Sequence, residues 1–233
     1  MSEPSRIMIV MPHPDDAEWR TGGSAARWAK EGKEIVYVIT TNGDKGSSDP
    51  DTDQAEFVKL REREQRTAAD VTGVGEVIFL GLPDQGLEDN DECRKAIVRQ
   101  IRKYKPDMVI TTDPHRGYLN HRDHRMNALI TLEAVYPYAG CPHSYPELLE
   151  EGLEAHRVKE VLFSGTEDPN YFVDITDTME AKLAALRCHE SQGGGRPGNE
   201  AMIRERDAVW AKEPGQEYME SFHREEMPWQ PFQ

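Results

Sequence analysis

Four short apolar runs, separated by stretches with helical spacing, constrain this chain more than any other feature. The runs are residues 6–12, 34–41, 77–80 and 107–112, and the first reads Ile7-Met8-Ile9-Val10-Met11. Their length and their Ile and Val content are those of buried strands. Between them, residues 22–31, 54–71 and 90–104 are predicted helices, the last with Ala96, Ile97, Ile101 and Tyr104 at helical positions, and another helix is predicted to begin near His121. Strands that alternate with helices form a parallel sheet reached by right-handed crossovers. The expected class is therefore α/β, a Rossmann-like and mostly parallel sheet flanked by helices. In the common strand order 3-2-1-4-5, the end of strand one lies beside the end of strand four, where ligands of such sheets bind.

Those two strand ends carry the chain's most reactive side chains. His13-Pro14-Asp15-Asp16 follows the first run directly, and His121-Arg122-Asp123-His124 follows the fourth after a loop at 115–120. Imidazoles and carboxylates suit zinc and related divalent ions, and a catalytic zinc site needs about three protein ligands and one open position. His13, Asp16 and His124 would supply the ligands, leaving Asp15 free to act as a base. Each cluster alone has a plainer reading. The first can be a turn with an Asp helix cap, and the second a helix start with solvated imidazoles. Their coincidence at matching strand ends favours the metal. A dinucleotide site is excluded, because no Gly-x-Gly-x-x-Gly follows the first strand. His115 and His143 are assigned to no site, and Asp84 is read as a turn residue.

Composition narrows the partners. Lys and Arg total 28 against 43 Asp and Glu, a net charge of −15, which argues against a nucleic-acid backbone or an anionic membrane. No stretch approaches the ~20 apolar residues of a membrane span. The N-terminal apolar run is a strand rather than a signal-peptide core. Cys93, Cys141 and Cys188 are too far apart for a disulfide framework, and a reducing cytoplasm is the expected location. Beyond residue 137 the pattern weakens, with Pro137, Pro142 and Pro146 interrupting it. Strands are predicted at 158–163 and 171–175, helices at 176–189 (with an Asx or Thr cap) and 199–212, and a Gly-rich loop at 193–198. A single domain over 1–233 is expected, with a core at about 5–137 and a C-terminal extension at about 138–233 that completes the pocket.

The sequence resembles the PIG-L/LmbE-type N-acetyl-sugar deacetylases. The resemblance rests on His13-Pro14-Asp15-Asp16 with Gly22-Gly23, Thr41-x-Gly43-Asp44, Arg61-x-x-Glu64, Leu82-Pro83-Asp84, His121-x-Asp123-His124, His189-x-Ser191-Gln192 and Gly215 with 217–222. It implies zinc, or another divalent ion such as iron, on His13, Asp16 and His124. It also implies Asp15 as general base and His121 as the group that stabilises the oxyanion or protonates the leaving amine, with Asp123 orienting it. Arg61 would contact substrate. The implied activity is removal of the N-acetyl group from a GlcNAc-containing small molecule or glycoconjugate by a trimer or hexamer. An amidase of the same fold acting on a thiol conjugate, and a non-catalytic metal- or carbohydrate-binding protein, are the alternatives. Two residues depart from the family. Arg20 replaces a small residue near the glycine pair and either contacts substrate, through an anionic group or by narrowing the mouth, or lies on the first helix surface. Leu119 places no polar group before His121.

Overall fold

The computed structural model describes residues 4–118 and 120–228; Leu119 lies outside the described residues. Strands β1 (Arg6–Met11), β2 (Glu34–Thr41), β3 (Glu76–Leu82), β4 (Met108–Thr112) and β5 (Glu160–Ser164) pair in parallel. β6 (Tyr171–Asp174) and β7 (Met219–Glu226) complete a seven-stranded sheet of order β3-β2-β1-β4-β5-β7-β6, with β7 antiparallel to both neighbours. The register of β1 on β4, Ile7 opposite Met108 and Ile9 opposite Ile110, brings the two strand ends side by side.

Alternation along β1 explains the layers. Ile7, Ile9 and Met11 face one core together with Ala25 and Trp28 of α1 (Asp16–Lys30) and Leu183 and Leu186 of α6 (Met179–Arg187). Met8 and Val10 face the other, with Ile97, Val98 and Ile101 of α3 (Asp91–Tyr104) and Ile130 of α4 (Arg122–Glu133). A strand buried on both faces must be apolar at every position, which is why the run was so legible. α2 (Gln54–Thr72) starts where the Asp53 carboxylate accepts the Ala55 and Glu56 amides, and it ends on Gly73 in the left-handed region.

Several expectations change. The first helix begins at Asp16, not near residue 22, so Gly22 and Gly23 lie inside it. Glycine is required there by packing. A Cβ on Gly23 would stand 2.7 Å from Ile175 Cδ1. The Gly23 and Ser24 amides also donate to the Glu220 carboxylate at 3.0 and 2.8 Å. The expected Thr cap of α6 is absent, because the Thr178 hydroxyl donates to the Gly23 carbonyl instead. The segment after residue 212, for which the sequence predicts no strand, forms the inner strand β7. Residues 138–228 thus contribute β5, β6 and β7 to the same sheet. Between α4 and α5 (Pro146–Glu150) the chain kinks at Tyr136, whose φ of −140° and ψ of 119° are not helical. The buried Arg102 guanidinium ties this region down by donating to the carbonyls of Ala139, Tyr145, Tyr138, Cys141 and Ser144.

Candidate active site

His13 stands two residues past β1, where the Thr41 amide and hydroxyl hold the Pro12 carbonyl at 2.9 and 2.7 Å. The chain then turns so tightly that Asp16, the first residue of α1, reaches back. One of its carboxylate oxygens accepts the His13 amide at 3.1 Å and lies 3.0 Å from His13 Nδ1. The other is 3.3 Å from His124 Nε2, on the first turn of α4. The ligand atoms of His13, Asp16 and His124 all lie within 4.8 Å of one another. The far nitrogen of His13 meets Asp84 Oδ1 at 3.2 Å and Asp123 Oδ2 at 3.4 Å.

This cluster fits a cation. Asp15, Asp16, Asp84 and Asp123 converge on it, and Asp123 Oδ1 is buried without a hydrogen-bond partner. Burial works against the charge on His13, but its hydrogen bonds with Asp123, Asp16 and Asp84 outweigh burial and push the imidazole up to about 11. Burial and the neighbouring His13, Arg20 and His121 outweigh the pull of Asp16 and lower His124, which favours the neutral form that ligates a metal. A second grouping, His13, His121 and Asp123, also has ligand atoms within 4.8 Å.

Asp15 is not part of either grouping. Its backbone is at φ 111°, a region that costs a non-glycine residue of order 1–3 kcal/mol. The surroundings hold it there. The Asp15 amide donates to Gln65 Oε1 at 2.9 Å, and Arg61 Nη2 is 3.6 Å from the carboxylate. Burial and the adjacent Asp16 raise the carboxyl to about 7, with Arg61 opposing them. His121 caps α4 by accepting the Asp123 amide on Nδ1 at 3.2 Å. The neutral ring therefore carries its proton on Nε2. The ring lies edge-on to His13, with centroids 5.1 Å apart. The orienting contact on His121 comes from the Asp123 amide, whereas the Asp123 carboxylate faces His13 and the Gln85 amide.

Arg61, expected to touch substrate, is 3% exposed. It donates to the carbonyls of Gly43 and Pro14. A Cβ on Gly43 or Gly46 would come within 2.4 or 2.7 Å of its Nη1, so those glycines let the 41–50 loop fold over the guanidinium. Its Nη2, 3.6 Å from the Asp15 carboxylate, supports Asp15 from beneath. Arg20 is half-buried on α1, one turn past Asp16.

Sequence reasoning passed over a second layer. Asp84, read as a turn residue, has its other oxygen on the Lys45 amide at 3.1 Å; its place just past β3 was the available signal. Gln65 is fixed because its Nε2 donates to Glu18 Oε1 at 2.8 Å, and Glu18 Oε2 in turn pairs with His189 Nε2 at 3.1 Å. All three are buried. The Ser191 amide and hydroxyl bind Glu64 at 2.8 and 2.6 Å. The late His189-x-Ser191-Gln192 stretch thereby joins α1 and α2 beneath Asp15. The resemblance marks Glu64, His189 and Ser191, whereas nothing local in the sequence points to Glu18 or Gln65.

A His/Asp cluster able to hold a cation at the carboxyl ends of parallel strands, with a further carboxylate and an imidazole beside it, is the kind of arrangement that metal-assisted hydrolysis requires. The comparisons place the chain more closely. The family described as PIG-L, GlcNAc-PI de-N-acetylase, matches residues 8–135. A diacetylchitobiose deacetylase of Thermococcus kodakarensis is 38% identical over 80% of this chain and 70% of its own length. The structure of N,N'-diacetylchitobiose deacetylase from Pyrococcus horikoshii superposes with a TM-score of 0.89 at 30% identity, covering 96% of this chain and 84% of that one. A mycothiol S-conjugate amidase of Streptomyces coelicolor is 30% identical over 63% of this chain and 57% of its own length. The chain belongs to the PIG-L family, and its enzyme class is that of the family's amide-hydrolysing deacetylases.

Proposed function

We propose that this protein is a zinc-dependent hydrolase that removes the N-acetyl group from a GlcNAc-containing small molecule or glycoconjugate. The observation that carries the reading is the joint placement of His13, Asp16 and His124 within ligand distance of one another, with Asp15 held beside them. Similarity to the diacetylchitobiose deacetylases supports the amino-sugar substrate.

His13, Asp16 and His124 would hold the metal. A divalent ion bound there supplies Lewis acidity toward an acyl carbonyl and lowers the pKa of water. An amide still needs a proton removed from the attacking water and one delivered to the departing nitrogen. Asp15, kept basic enough by burial and aimed by Gln65 and Arg61, takes the first. His121, exposed and carrying its proton on Nε2, donates a hydrogen bond to the developing oxyanion, and the protonated Asp15 carboxyl delivers the second to the departing nitrogen. Asp123 positions His121 through its amide and His13 through its carboxylate. Arg20 contacts the substrate at the mouth, and Arg61 acts through Asp15. The core at about 5–137 holds the metal ligands, and 138–233 completes the pocket in one domain. A cytoplasmic homo-oligomer, trimeric or hexameric, is the working form. The free thiols Cys93, Cys141 and Cys188 fit a reducing compartment. Among the described residues, no helix is long and apolar enough to cross a membrane.

Acetate release from N,N'-diacetylchitobiose and other N-acetylated sugars, with metal content measured in parallel, tests the reading. About one divalent ion per chain, lost together with activity in a His13→Ala, His124→Ala double variant, is the expected result. Turnover that survives in the metal-free protein would overturn it. The similarity to the amidase supports a second reading, cleavage of a thiol conjugate; a larger acid released in place of acetate identifies it.

A further inference from the structure

One turn of α1 past Asp16, Arg20 lines a cavity of about 250 Å³ whose charges are unevenly matched. It is lined by Arg20, Arg116 and Arg206 on the basic side and by Glu167, Asp207 and Glu220 on the acidic side. Two of the acids are already engaged inside the protein. Glu220 binds Lys182 and the Gly23 and Ser24 amides, and Asp207 binds Lys182 and Arg206. Arg206 is further held by the Trp19 carbonyl. Glu167 is exposed. Arg20 and Arg116 are different: among the described residues, neither forms an ion pair or donates a hydrogen bond to a protein group. Both are half-buried; burial, with the nearby Arg206 and Arg116, works against the charge on Arg20 and outweighs the support of Asp16 and Asp207.

A partly desolvated guanidinium with no acceptor is costly, and two lining one cavity in a protein of net charge −15 are unexpected unless an anion completes them. Their location ties them to the reaction. Asp16 and Arg20 are four residues apart on α1, so their side chains leave the same helix face with Cβ atoms about 5–6 Å apart. Arg20 also lies over Gly165, where a Cβ would be 3.0 Å from its Nη1. The loop after β5 therefore leaves room for the guanidinium at the cavity wall.

We infer that Arg20 and Arg116 form an anion subsite adjoining the metal cluster, so that the preferred substrate is an N-acetylated amino sugar bearing a carboxylate or phosphate. This rests on the deacetylase reading and narrows its substrate. The cavity accommodates such a group together with a few carbon atoms, and Trp210 and Met219 on its lining supply apolar contact for them.

The test is a panel assayed for acetate release with metal-loaded enzyme. It comprises neutral N,N'-diacetylchitobiose, N-acetylglucosamine 1-phosphate, N-acetylglucosamine 6-phosphate and N-acetylmuramic acid. At least one anionic sugar is expected to exceed the neutral disaccharide in kcat/KM by tenfold or more, and the arms tell phosphate from carboxylate. Arg20→Gln and Arg116→Gln should each reduce that preference about tenfold, chiefly through KM, while Arg20→Lys and Arg116→Lys retain more of it. Equal use of neutral and anionic sugars, with ratios unmoved by either substitution, overturns the subsite. Should no member of the panel release acetate, the deacetylase reading fails, and calorimetric titration with the two phosphates and N-acetylmuramic acid still decides the subsite. Binding that is lost in Arg20→Gln upholds it, and absence of binding in the parent protein overturns it.

Discussion

Asp15 shows how much of this site depends on single residues outside the ligand set. Its left-handed backbone is held by one amide-to-Gln65 hydrogen bond and by the nearby Arg61. In its proposed role as general base it would supply a factor typical of proton transfer, so Asp15→Asn should lower kcat/KM by about 10²–10⁴. Metal content should be unchanged, because Asp15 lies outside both ligand groupings. Full turnover in that variant would remove Asp15 from the mechanism. Behind it, Gln65 has only one workable orientation. Its amide nitrogen must face the Glu18 carboxylate, which leaves the oxygen for Asp15. His189 closes the line. Burial lowers its affinity for a proton, but the hydrogen bond and charge of Glu18 prevail and the imidazole titrates above its usual value. A group whose pKa is raised on folding adds stability that is complete below the unfolded value, near 6.5, and is lost as pH rises through the folded one. Urea midpoints compared between pH 6 and pH 9 should therefore fall more for the parent protein than for His189→Gln. Parallel midpoints in the two proteins would show that the pair carries no charge.

At the scale of elements, the junction of α1 with the C-terminal strands is the least obvious part of the molecule. Gly23 packs on Ile175, its carbonyl takes the Thr178 hydroxyl, and its amide donates to Glu220 at the start of β7. Buried Lys182 of α6 then neutralises Glu220 and Asp207. A methyl group at residue 23 cannot fit without displacing Ile175, whose branched side chain lies in the core. Gly23→Ala should cost about 1–3 kcal/mol, the usual penalty of overpacking. Thermal unfolding should report it as a fall of several degrees. An unchanged midpoint would mean that α1 and the β6–α6 connection move apart easily. The same junction explains why the first helix was placed late in the chain. Paired glycines ordinarily interrupt a helix, and only contacts with residues some 150–200 positions away make them the right choice inside one.

For the molecule as a whole, the metal cluster concentrates acidic groups in a protein that is already strongly anionic. Binding a cation only in the folded state stabilises that state by mass action, about 2.7 kcal/mol at a hundredfold excess over Kd. Chelation should lower the unfolding temperature of the parent protein, and re-addition of zinc should restore it. The His13→Ala, His124→Ala variant should show neither response. An identical chelation shift in the variant would place the bound metal elsewhere.

The sequence by itself determined the alternating strands of the parallel sheet and the two strand ends that carry His13, Asp15, Asp16, His121 and His124. Each of these follows from local signals, because a strand buried on both faces is uniformly apolar and the site lies at its end. Only the tertiary structure decided the rest. It brought Asp84 to His13, buried Arg61 under Asp15, ran Gln65, Glu18 and His189 into one hydrogen-bonded line, and set β7 inside the sheet. These choices depend on pairing charges and amides that are far apart in the chain. A charged residue destined for burial looks, in sequence, the same as one on a solvated helix face.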